Sequence, residues 1–175
     1  MKKKVKLTEL VDKTDLKIVT SSSDYEEIYI DTRNVNRPGL QLSGFMDDFP
    51  YERIQIIGNV EYAYYMSLDI KSRYERFRGL FSYDIPCIIF SYDREITQDI
   101  IDLAKYYDKT LLKSEFATTK LIGKLGRTLE EELAEEISIH AGLMEVYGSG
   151  VLIRGKSSVG KSETGLDLVT RGHRL

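Results

Sequence analysis

Residues 151–162 read Val151-Leu152-Ile153-Arg154-Gly155-Lys156-Ser157-Ser158-Val159-Gly160-Lys161-Ser162. The apolar run Val151-Leu152-Ile153 predicts a strand. Gly155 then opens a pattern of glycine, four residues, and Gly-Lys-Ser, which is the spacing of a P-loop. Glycines let the backbone curl until successive N–H groups point at one anion. In that arrangement Lys161 reaches the β and γ phosphates of a polyphosphate, and the Ser162 hydroxyl helps hold Mg²⁺. Glu163, Leu166, Asp167 and Val169 then predict a helix over 162–171, with Gly172 at its C-terminal stop. Its N-terminal dipole adds positive potential at the loop. Strand before and helix after is the context a P-loop requires, whereas an ordinary glycine-rich turn requires neither. The predicted phosphate-binding residues are Gly155, Lys156, Ser157, Ser158, Val159, Gly160, Lys161 and Ser162. Two positions are unusual. Lys156 adds a cation, and Ser158 stands where some P-loops carry a third glycine. If that position needs φ > 0, serine there costs about 1 kcal/mol.

Upstream of the loop, residues 137–147 predict a strand and Gly148-Ser149-Gly150 a turn, so a hairpin leads into Val151. Further back, Leu121, Ile122, Leu125, Leu129 and Leu133 fall at helical spacing. Glu130, Glu131, Glu132, Glu135 and Glu136 close that helix. Adjacent carboxylates diverge on a helix, so a solvated face is the reading and a metal site is not. The change of texture places a domain boundary near residues 130–137, giving an N-terminal domain of residues 1–133 and a second region, residues 134–175. Within the first, a helix is predicted over 6–16 and strands at Leu16-Lys17-Ile18-Val19, Ile28–Ile30, Ile54–Ile57, Cys87–Phe90 and Thr110–Leu112. Helices are predicted around Ile70, Tyr74 and Phe77, and from Ile96 to Tyr107. Pro38-Gly39 reads as a turn. Strands alternating with helices imply an α/β fold, a small sheet flanked by helices.

Composition narrows the function classes. With 42% apolar and 30% charged residues, the 175-residue chain has the balance of a globular protein rather than a disordered one. A formal net charge of -3 gives no global field to attract nucleic acid. A single cysteine, Cys87, forms no internal disulfide and suits a reducing, cytoplasmic setting. No apolar run approaches the length of a membrane span, and the basic start Met1-Lys2-Lys3-Lys4-Val5 lacks the apolar stretch of a signal peptide. The clustered tyrosines, Tyr62, Tyr64 and Tyr65 with Tyr106 and Tyr107, read as half-buried packing with hydroxyls at the surface. His140 is ambiguous on its own: a lone histidine on a strand is more often structural, yet its place on the hairpin that feeds the loop makes a phosphate contact reasonable. His173 reads as structural.

The flanks of the loop are distinctive. His140-Ala141-Gly142-Leu143-Met144-Glu145-Val146-Tyr147 precedes it, and Lys161-Ser162-Glu163-Thr164 and Arg171-Gly172-His173-Arg174-Leu175 continue it. Nearer the start stand Asn36-Arg37-Pro38-Gly39-Leu40, Gly44-Phe45, and Glu52-Arg53-Ile54-Gln55 followed by Gly58 and Glu61. Over nearly its whole length the chain resembles the bacterial HPr kinase/phosphorylase family. The resemblance implies an N-terminal α/β domain, followed by the beginning of a P-loop kinase domain related to phosphoenolpyruvate carboxykinase. It implies phosphorylation of a serine of HPr, a small phosphocarrier protein of the sugar phosphotransferase system. The donor would be ATP, or pyrophosphate in some members, with Mg²⁺. The reverse step would be phosphorolysis, and the outcome control of carbon catabolite repression by a hexamer. It assigns His140 and Lys161 to the catalytic site and Ser162 to the metal.

Departures from the family pattern matter. Its loop usually reads Gly-Asp-Ser-Gly-Val/Ile-Gly-Lys-Ser, whereas Lys156 and Ser158 stand here. His140-Ala141-Gly142 also replaces the usual His-Gly-Val. The chain stops at Leu175, where the family continues into an Asp-Asp pair that supplies the general base. The expectation is that these 175 residues alone do not catalyse phosphoryl transfer. Two other readings stay open: a non-catalytic assembly or sensing module whose altered loop binds phosphate, and a P-loop phosphotransferase acting on a small molecule.

Overall fold

The order of the strands in the central sheet follows from how the chain connects them. The computed structural model describes residues 3–135 and 138–174. Met1, Lys2, Glu136, Ile137 and Leu175 lie outside the described residues. The start of the strand expected from Ile137, part of the acidic run, and the end of the Arg-Gly-His-Arg-Leu block lie there too. The chain divides into two compact units, Met1–Ala134 and Glu135–Leu175.

In the first unit, β1 (Val5–Lys6) leads into helix α1 (Leu7–Thr14), strand β2 (Lys17–Thr20), a 3-10 turn, and strands β3 (Tyr29–Ile30) and β4 (Val35–Asn36). Then come α2 (Gly39–Ser43), β5 (Ile54–Ile57), α3 (Asn59–Ser67), α4 (Ile70–Phe81), β6 (Ile88–Phe90), α5 (Gln98–Tyr106), β7 (Leu111–Lys113) and α6 (Thr118–Glu132). The five-stranded sheet has the order β2-β7-β6-β5-β4. β4 to β7 are parallel neighbours in sequence order, and β2 pairs antiparallel on the β7 edge. Successive parallel strands joined by crossovers of one hand put α2 to α5 on one face. There Leu42, Tyr65, Phe77, Leu80, Ile100 and Leu103 pack with Ile57, Ile88, Phe90 and Leu111. On the other face Leu7, Leu10 and Val11 of α1 and Leu121, Leu125 and Leu129 of α6 pack with Ile54, Ile56, Ile89 and Leu112. The period-two alternation of the strands decides which side chain joins which core. The molecule is thus a mixed α/β structure.

Several local expectations are corrected. Pro38-Gly39 does not form an isolated turn: Pro38 opens α2, which Gly44 ends at φ +105°. Proline has no N–H to leave unsatisfied at a helix start, so the same dipeptide serves both purposes. Helix α3 was not expected, because its apolar residues show little helical periodicity; only Glu61 and Tyr65 on it are buried. Tyr65 is wholly enclosed, hydroxyl included, against the expectation that the tyrosine hydroxyls reach the surface. Burial holds its phenol protonated, well above the usual range.

In the second unit, β8 (Ala141–Val146) and β9 (Ser149–Arg154) form an antiparallel hairpin, and α7 (Lys161–Thr170) follows. The turn is Tyr147-Gly148, not Gly148-Ser149-Gly150. Both turn residues have positive φ (50° and 78°), the backbone of a type I′ turn. That turn continues the right-handed twist of the strands, so Ser149 and Gly150 are drawn into β9.

Candidate phosphate-binding site

Helix α7 begins at Lys161 because Gly160, at φ 85°, turns the chain into it. It ends in a Schellman motif: the Gly172 N–H donates to Val169 O (2.9 Å) and the His173 N–H to Leu168 O (3.1 Å), with Gly172 at φ 94°. Residues 155–160 therefore lie between the last residue of β9 and the N-terminus of α7. Gly155 is needed for close approach, since a Cβ there would sit 2.8 Å from Val159 Cγ2. Ser158 has φ 67°. The left-handed backbone that the sequence raised as a condition is therefore present, and serine carries the strain that glycine would avoid.

The Lys161 ammonium donates to Gly155 O at 2.8 Å and to Lys156 O at 2.7 Å. An ammonium has three donors. Two of them fix its position across the loop. Ser162, the second residue of α7, stands beside it. The Thr164 hydroxyl donates to Gly160 O (2.9 Å), bracing the first turn.

His140 is not on a strand; it immediately precedes β8, exposed. It lines, with Lys161, Ser162, Gly142, Met144 and Ile153, a hollow of about 360 Å³ between the hairpin and α7. His140, well before the adjacent Lys161 and Ser162 in sequence, is thereby brought to one cavity with them. His173 instead packs edge-on against Tyr147, with ring centroids 4.7 Å apart. His140 also lines a second hollow of about 510 Å³, with Ser138, Ile139, Arg154, Gly155 and Lys156. Sequence reasoning gave Arg154 no role. Arg154 ends β9 and Lys156 lies in the bend that follows. Among the described residues no group of three or more His, Cys, Asp and Glu is placed to hold a metal ion. A Mg²⁺ bound here would take the Ser162 hydroxyl, phosphate oxygens and water, a donor set that this ion accepts. In the described part of the acidic run Glu130, Glu131 and Glu135 are exposed, and Glu132 is paired to Lys13.

No described helix is long and apolar enough to cross a membrane.

Comparison with known proteins gives two matches to family models: the HPr serine kinase N terminus over residues 5–129 and the HPr serine kinase C-terminal domain over residues 131–175. An HPr kinase/phosphorylase of Alkaliphilus metalliredigens is 49% identical over 155 residues, covering 89% of this chain and 50% of that protein. One from a Thermoanaerobacter species is 45% identical over 172 residues, covering 98% and 56%. The chain thus spans about half the length of the curated relatives it matches. Among solved structures, the CBS and DRTGG domains of the regulatory region of Clostridium perfringens pyrophosphatase, complexed with the activator diadenosine tetraphosphate, match with a TM-score of 0.52. That likeness covers 74% of this chain and 50% of the other at 13% identity, and speaks to the α/β fold alone.

Proposed function

The chain belongs to the HPr serine kinase family, and from that premise we propose that residues 155–162 are the polyphosphate site of a protein kinase/phosphorylase acting on HPr. In this reading the first unit is the N-terminal α/β domain, residues 1–133. Residues 134–175 begin a P-loop kinase domain related to phosphoenolpyruvate carboxykinase. The donor is ATP or pyrophosphate. The loop N–H groups and the N-terminus of α7 bind its phosphates. Lys161, held by two loop carbonyls, directs its remaining N–H at the bridging region between β and γ phosphates. Mg²⁺, when bound, would neutralise charge on the phosphates, and the Ser162 hydroxyl would help hold it. His140 contacts the transferring group.

In the forward direction the seryl oxygen of HPr attacks the terminal phosphorus. The new Oγ–P bond forms as the P–O bond to the departing ADP (or, from pyrophosphate, phosphate) breaks, and the seryl proton passes to a base. In reverse, an oxygen of inorganic phosphate attacks the phosphoseryl phosphorus. The P–O–P bond of pyrophosphate forms as the Oγ–P bond breaks, and the departing seryl oxygen recovers its proton. In this reading the base comes from a part of the family's fold other than the loop. Hexameric assembly, a cytoplasmic location and control of catabolite repression belong to the same proposal.

The observation that carries it is the Lys161 ammonium already seated on Gly155 O and Lys156 O. Calorimetric titration of pyrophosphate and ATP, with Mg²⁺, tests it. The chain is expected to bind, and Lys161→Ala to lose at least about tenfold in affinity, the loss of one charge-assisted contact. Unchanged binding in the variant would refute the assignment. A phosphorylation assay with HPr and the full gene product tests the transfer step. Binding without transfer would favour the non-catalytic module.

A further inference from the structure

The parallel strands β5, β6 and β7 begin at one edge of the sheet, where the segments that lead into them line a hollow of about 490 Å³. Small-molecule sites span roughly 300–1,000 Å³. Six carboxylates line the hollow, those of Asp24, Glu27, Asp31, Glu52, Asp84 and Asp108, against the two ammonium groups of Lys4 and Lys109. Lys6 and Arg53 reach Glu27 and Glu52, at 3.6 and 3.2 Å, and bring the cations to four, so negative charge stays in excess. Hydrogen bonds from the Ser23 hydroxyl and N–H hold the Asp108 carboxyl below its ordinary range, so it keeps its charge. Helices α4 and α5 end at this edge with Phe81 and Tyr106, and the residues just beyond them line the hollow. The negative ends of two helix dipoles therefore add to the carboxylates. The wall also carries apolar surface from Ile28, Ile85 and Pro86, and the rings of Tyr29, Tyr51 and Tyr107. Lys6 already lies over one of these rings, 5.5 Å from the Tyr29 centroid.

The spacing of the carboxylates decides which kind of cation fits. A divalent metal ion needs several oxygen ligands around one point. Among the described residues no group of three or more His, Cys, Asp and Glu is so placed. Carboxylates spread around a wall, with rings and aliphatic carbon between them, match instead a cation whose charges are spaced along a hydrocarbon chain. We propose that this hollow binds a linear aliphatic polyamine. Its ammonium groups pair with the carboxylates, and its methylene groups lie on Ile85, Pro86 and the tyrosine rings. The hollow lies wholly within the first unit, and the phosphate loop has no part in it.

Calorimetric titration of spermidine into the chain, without nucleotide, tests this. One equivalent is expected to bind. Asp24→Asn/Glu52→Gln/Asp84→Asn removes three exposed carboxylates from the wall and is expected to weaken binding about tenfold. Should that triple variant unfold, Asp24→Asn alone is expected to show a smaller loss in the same direction. Glu75→Gln/Asp102→Asn/Glu130→Gln changes net charge equally on exposed residues that do not line the hollow, and is expected to bind as the parent does. Mg²⁺ at the concentration of spermidine is expected to leave the binding in place. The proposal is overturned if the parent binds no spermidine, or if the wall variant binds it as the parent does. It is equally overturned if the two triple variants lose affinity alike, or if Mg²⁺ displaces spermidine at that concentration. Trilysine binding as tightly as spermidine overturns it too, since the wall is then a surface for basic peptides.

Discussion

Gly44 shows how much one residue can carry. Its φ is +105°, and a Cβ would lie 2.2 Å from Arg76 Nη1, so the arginine from α4 packs directly on bare backbone. Gly44→Ala meets both obstacles and is expected to cost about 1–3 kcal/mol, read as a lower denaturant midpoint at unchanged slope. Asp93 makes a different point. It sits at φ 49° after Tyr92 at φ 62°, a pair of left-handed residues at the end of β6. A hydrogen bond from the Lys113 side chain, then its charge, hold the Asp93 carboxyl below its ordinary value. The folded pKa lies below the unfolded one. The stabilisation is therefore present above the unfolded value and is lost as pH falls through the folded one. Asparagine tolerates the same backbone, so Asp93→Asn isolates the charge. Wild type should melt above Asp93→Asn at neutral pH, and the gap should close below about pH 4.

Among the elements, the start of α3 is the most tightly specified. The Gly58 N–H and the Arg37 guanidinium both donate to Glu61 Oε2, at 3.0 and 2.8 Å. A Cβ on Gly58 would sit 2.9 Å from both Glu61 Oε2 and Thr118 Oγ1. One carboxylate thus caps α3, anchors the segment after β4, and leaves room for nothing larger than glycine. Asn36 extends the arrangement by donating to Gln55 Oε1 at 2.7 Å, and Gln55 donates to Pro50 O and Arg53 O. Residues that stand apart in the sequence, from Asn36 to Glu61, therefore form one polar lattice at the edge of the parallel sheet. Glu61→Ala strands the Arg37 charge and a buried N–H, and should destabilise the first unit by about 2 kcal/mol in chemical denaturation.

At the scale of the molecule, the two units differ in how much they enclose. The first has an apolar core on each face of its sheet. In the second, no residue of α7 is buried, and Leu143 and Leu152, partners across the hairpin, are 64% and 48% exposed. A two-stranded sheet by itself is marginal in water, and α7 packs on it without burying any of its own residues. Hydrogen exchange followed by mass spectrometry should find the amides of α7 exchanging at least about a hundredfold faster than those of β5 and β6. Equal protection in both would contradict this account. A bound polyphosphate should slow exchange in α7.

The sequence by itself determined the glycine-rich loop between a strand and a helix at residues 155–160, and most of the strands and helices before it. These depend on short-range causes: glycine and proline backbone freedom, capping, and the periods of two and 3.6. It missed α3, whose apolar residues lack a clear period, and misplaced the hairpin turn by a residue, because strand twist selects the turn type. Only the tertiary structure decided which strand is antiparallel, that Tyr65 is wholly buried, that Glu61 serves Arg37 and Gly58 together, and that Arg154 and Lys156 share a hollow with His140. Each of these depends on the register between segments distant in sequence, and register is fixed by packing across the sheet rather than by the residues alongside.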